Sequence, residues 1–166
     1  ETLALRMART CASAQAVATL ARDGRGRTLP ELLGAKAWQA ASAEARELGL
    51  DLTPMTPFEP WYAAVVVTQL RLAQLGFDPS LGVESRMAAE AQRQGKEIRG
   101  LETLEGQLGA LDSLSADAQR QFLQSTLEEA SEIGDVADDM IEAWKAGDVE
   151  VLDADLDLLL LPAAPA

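Results

Sequence analysis

Apolar side chains recur at steps of three and four over most of this chain, the period of a helix with one buried face. Residues 36–48 read as an amphipathic helix closed by Gly49. Pro60 suits the first turn of a helix reaching about Leu75 and stopped by Gly76. That helix is apolar on most sides, through Trp61, Tyr62, Val65, Val66, Val67, Leu70, Leu72 and Leu75, which predicts burial. Its three consecutive valines pull toward strand instead. A turn at Asp78-Pro79-Ser80 leads into a helix over 83–94, stopped at Gly95. Residues 96–101, with Ile98 and Leu101 as apolar members, are the best strand candidate. Leu104, Leu108 and Leu111 then predict a short helix. Ser115 fits an N-cap, and helices over 116–132 and 135–146 follow, kinked or split at Gly134 and ended by Gly147.

The ends are less patterned. Residues 1–22 are Ala-rich and weakly helical, 23–27 form a loop by their glycines and charges, and 53–57 make a proline-punctuated linker. The class that follows is mainly α with one or two short β-strands. Length agrees, since 166 residues suit one domain. Within it, 1–35 is an N-terminal helix and loop, 36–152 the core, and 153–166 an apolar, acidic tail. Aromatics are only 4% of the chain, which also favours helices over a sandwich or barrel.

Charge changes the picture of partners. The formal net charge is −13, and it is segregated: +2 over residues 1–50, −1 over 51–100 and −14 over 101–166. An acidic last third and no basic stripe elsewhere disfavour nucleic acid. The apolar stretch near 62–67 is too short to span a membrane. The chain opens at Glu1 without an initiator Met or a targeting segment, and closes on a Leu-rich run with nothing after it. It reads as a soluble piece of something longer. Leu156, Leu158, Leu159, Leu160 and Leu161 lack evident internal partners, so a groove or a second copy of the chain is expected to cover them.

The absence of histidine excludes the most chemistry. Ser-His-Asp and Cys-His catalysis, and any zinc site needing imidazole, are closed to this chain taken alone. Cys11 is the single cysteine and has no partner for a disulfide; a buried or idle thiol outweighs a nucleophile there. Glu128, Glu132, Asp135, Asp139 and Glu142 fall on one helical face, which is either a cation-binding stripe or, more ordinarily, a solvated surface. Asp153, Asp155 and Asp157 imitate the start of a calcium loop, but Leu158 stands where its glycine is needed and Ala164 where its Glu is. Trp38, Trp61 and Trp144 sit on core faces, with ligand stacking as the minority reading.

An ordered set of landmarks carries more. Glu59-Pro60-Trp61-Tyr62-Ala63-Ala64 is followed by Gly76-Phe77-Asp78-Pro79-Ser80-Leu81-Gly82-Val83-Glu84. Then come Gly95-Lys96-Glu97-Ile98-Arg99-Gly100-Leu101-Glu102-Thr103-Leu104-Glu105-Gly106-Gln107 and Ala143-Trp144-Lys145-Ala146-Gly147-Asp148. In this order and spacing, over roughly residues 25–152, the chain resembles the TraB/GumN family, related to the Tiki-type proteases.

The resemblance implies the helical central part of an α/β scaffold. It also implies a parent that is a metal-dependent hydrolase, using a divalent ion such as Mn or Co, and an extracytoplasmic home. Family members usually carry a Gly-x-x-His motif near each end, and neither is present here. This part would then frame the substrate cleft, hold no metal of its own and be inactive alone. Glu1, Glu84 and Glu102 match acidic family positions as candidate catalytic residues; Glu105, Gln107 and Trp61 are candidates for substrate binding. Capping or bonding of the adjacent helix is the plainer role for Glu102 and Gln107. From a different class, a non-catalytic helical module that binds a protein or peptide fits the same sequence.

Overall fold

The computed structural model describes residues 17, 19–100 and 103–152, less the side chains of Leu104 and Glu105. Helix α1 is Leu29–Leu33, α2 Ala35–Glu47, α3 Pro60–Gln74, α4 Val83–Arg93, α5 Leu104–Asp112, α6 Ala116–Glu129 and α7 Ile133–Ala146. Single 3₁₀ turns lie at Thr53–Met55 and Pro79–Leu81. The chain is mainly helical, as its periodicity predicts.

Local chemistry sets the helix ends. Thr28 donates from its amide and its hydroxyl to one carboxylate oxygen of Glu31, both at 2.7 Å, fastening the start of α1. Pro60 opens α3 where a missing N–H costs nothing. Ser115 Oγ accepts from the Ala118 amide at 3.2 Å and starts α6. After α2, Gly49 takes φ 72°, a turn that a side chain would strain.

The core lies between α1, α2, α3 and α6. Leu29, Ala41, Ala45, Ala63, Ala64, Val67, Leu123 and Leu127 form one buried cluster, with Leu50 and Leu52 closing it from the loop after α2. Alanine on α3 leaves room for α6 to pack closely against it. Burial also overrides the strand preference of the valine run: Val67 is in the core and Val65 and Val66 are half-buried, all within α3. Two polar ties hold the ends together. Arg71 Nε donates to the Ala130 carbonyl at 2.8 Å, capping the end of α6, and Gln74 Nε2 donates to the Leu48 carbonyl at 3.2 Å.

Several expectations are corrected. Residues 96–100 form no strand; they leave α4 through Gly95 at φ 66° and run exposed, with no neighbouring strand among the described residues to complete a ladder. Residue 101 lies outside the described residues. Burial of α3 fades toward its end, where Leu70 and Leu75 are exposed. Of the three tryptophans, Trp61 is fully buried and Trp38 packs against the core, but Trp144 is 73% exposed on a helix that buries only Ala143. The last two helices separate at 130–132 rather than at Gly134, which falls in the first turn of α7. That break interrupts the row of Glu128, Glu132, Asp135, Asp139 and Glu142, and all five are exposed. The N-terminal helix, Cys11 and the tail from 153 onward lie almost wholly outside the described residues.

Candidate functional site

A polar cavity of about 210 Å³ opens where α3 and α6 begin, walled by the loop before α1 and by the end of α5. Glu59 is one of its acids. It sits one residue before α3 and is fixed by its own backbone, whose amide donates to the Ala21 carbonyl at 2.7 Å. Glu59 is only 9% exposed. Its Oε2 accepts from the indole Nε1 of Trp61 at 3.1 Å and from Nε2 of Gln119 at 3.0 Å. Gln119 lies one turn into α6 and also reaches the carbonyls of Asp112 and Leu114, each at 3.4 Å. No donor among the described residues reaches the other oxygen, Oε1.

Electrostatics here oppose one another. Burial pushes the Glu59 carboxyl above its ordinary range; the Gln119 hydrogen bond pulls it back, and the nearby negative charge of Asp112 adds to the rise. Also lining the cavity, Arg27 grips Asp23 with two nitrogens, Nη2 to Oδ1 at 2.8 Å and Nε to Oδ2 at 3.2 Å. That grip, with the Arg27 and Arg25 amides on Oδ2, holds Asp23 well below the ordinary carboxylate range. Arg120 donates to the Leu32 carbonyl at 3.1 Å and pairs with Asp117, so its guanidinium is held at the rim. A second, more apolar groove of about 410 Å³ runs between α2 and α6, floored by Ala37, Ala41 and Leu123, and Arg120 borders it too.

The residues singled out in the sequence do not meet in this cavity. Glu84 is exposed in the first turn of α4, and Gln107 is exposed on α5. Glu105 has its backbone in α5 and its side chain outside the described part; Glu1 and Glu102 lie outside it altogether. Trp61 is the exception. It is buried in the core, yet its indole N–H holds the cavity's carboxylate. Glu59, Asp112, Gln119 and Arg27 escaped sequence reasoning because 60 residues separate Glu59 from Gln119, beyond any periodicity. Arg120 did carry a signal, as one of two basic residues after position 100.

Among the described residues no group of three or more His, Cys, Asp or Glu side chains converges to hold a metal ion. The cavity's acids therefore do not fit the divalent ion that the family resemblance implies. No described helix is long and apolar enough to cross a membrane.

No curated protein and no solved structure matches this chain. The sequence model of one family does, over residues 2–164, nearly end to end. The chain belongs to the TraB/PrgY/gumN family.

Proposed function

We propose that this chain is the central helical part of a TraB/GumN-type protein, that the parent is a metal-dependent hydrolase acting outside the cytoplasm, and that this part frames the substrate cleft. The observation that carries the reading is the cavity at the start of α3 and α6. There a carboxylate buried to nine-tenths has one oxygen that no donor among the described residues reaches, in a chain of this family. Catalytic metal, Mn or Co, would be held by residues other than those of this chain, which has no histidine. The test is peptide hydrolysis with added manganese or cobalt by a parent containing both Gly-x-x-His motifs, beside this chain alone. Metal-dependent turnover by the parent, lost when both histidines are replaced, supports the reading. Turnover by this chain alone, or none by the parent, overturns it.

A second reading, a non-catalytic module that binds a protein or peptide, is favoured by the outer face of α4. Val83 and Met87 there, and Leu81 in the 3₁₀ turn just before, are each more than 60% exposed. The parent gene separates the two readings, since the first requires Gly-x-x-His motifs flanking this segment.

A further inference from the structure

The cavity beside Glu59 pairs unused donors with unused acceptors. On the acidic side, among the described residues, Oε1 of Glu59 accepts no hydrogen bond, and the half-buried Asp112 carboxylate is in no hydrogen bond or ion pair. On the basic side, Arg27 spends Nε and Nη2 on Asp23 and leaves Nη1; Arg120 spends Nη1 and Nη2 and leaves Nε. The only buried side-chain atom without a partner among the described residues is Ser42 Oγ, so Glu59 Oε1 is open to the cavity, where water or a ligand donor can reach it. Asp23, Glu59 and Asp112 line the cavity as acids, and the remaining guanidinium nitrogens of Arg27 and Arg120 line it as donors. Such an arrangement is complementary to a molecule with a positive and a negative end. The volume, about 210 Å³, suits a molecule of few heavy atoms.

We propose that this cavity binds a small zwitterion, its ammonium group between Glu59 and Asp112 and its carboxylate toward Arg120 and Arg27, as in a free amino acid or a very short peptide. The inference rests on taking the cavity as a ligand site, as in the function proposed above, but not on hydrolysis. Its test reads binding by this chain, so a failed hydrolase assay leaves it standing.

The experiment is calorimetric titration of the chain at neutral pH with alanine, dialanine, methylammonium and acetate, each to about 10 mM, a range in which millimolar affinities register. Alanine or dialanine is expected to bind, the stronger of the two showing whether the source is a free amino acid or a peptide. Methylammonium and acetate, each with half the recognition, are expected to bind at least about tenfold more weakly. Asp112→Asn, which removes a carboxylate that bonds to nothing among the described residues, should weaken the zwitterion by a similar factor with the helical signal unchanged. Glu59→Gln should do likewise. No binding of either zwitterion overturns the proposal. So does methylammonium or acetate equal to alanine, or zwitterion binding that Asp112→Asn leaves untouched.

Discussion

Glu59 shows how one side chain can be both held and strained by its surroundings. Trp61 and Gln119 donate to a single oxygen, while burial and Asp112 penalise its charge. Because the folded chain then holds this proton more tightly than the unfolded one, stability falls as pH rises from the ordinary carboxylate range through the raised value. Asp23 works in the opposite sense: its depressed value contributes stability above that range and loses it as pH falls. Melting temperatures of the wild type and Glu59→Gln between pH 4 and 8 separate the two. The difference should move in the variant's favour as pH rises, because only Glu59 is removed. A difference independent of pH would show that Glu59 ionises as freely folded as unfolded.

At the scale of elements, stability is concentrated where α3 packs along α6, with α1 and α2 closing the core. Leu123 is 1% exposed in the core cluster, and Leu123→Ala should cost about 2–5 kcal/mol, read by urea unfolding. Met87, 67% exposed on α4, should cost less than about 0.5 kcal/mol on the same substitution. Equal costs at the two positions would contradict the division between a packed core and a bare α4.

Element ends were legible in the sequence because they depend on neighbours a few residues away. Pro60, Ser115, Gly49, Gly76, Gly95 and Gly147 mark helix boundaries by backbone chemistry alone. Residues 96–101 were not legible in the same way, since a strand exists only with a partner, and Ile98 finds none among the described residues. Trp144 failed similarly: helical spacing placed it on an apolar face, but a face is buried only where another element covers it. The cavity was the least legible feature. Its groups come from the loop before α1, the start of α3, the end of α5 and the start of α6, and only the fold brings them together.

For the whole molecule, charge and apolar surface are distributed unevenly. The last third carries −14, so acidic side chains on α6 and α7 stand in solvent, where salt screens whatever cation they attract. The tail beyond 153 lies outside the described residues, and its association with a groove or a second copy stands as a proposal from its five leucines. Burial of each leucine would contribute about 1.5–3 kcal/mol before entropy losses. Removal of residues 156–166 should therefore lower the melting temperature or reduce the mass seen in sedimentation, and no change in either would refute that role.

The central claim is that this chain shapes a cleft whose metal chemistry belongs to residues it does not contain. Calorimetric titration of the chain with manganese, repeated with cobalt, tests it most directly. Only weak heats that vanish on adding salt are expected, as for exposed acids acting separately. Submicromolar affinity that survives salt would contradict it, and would mean that carboxylates of this chain converge on a metal site after all.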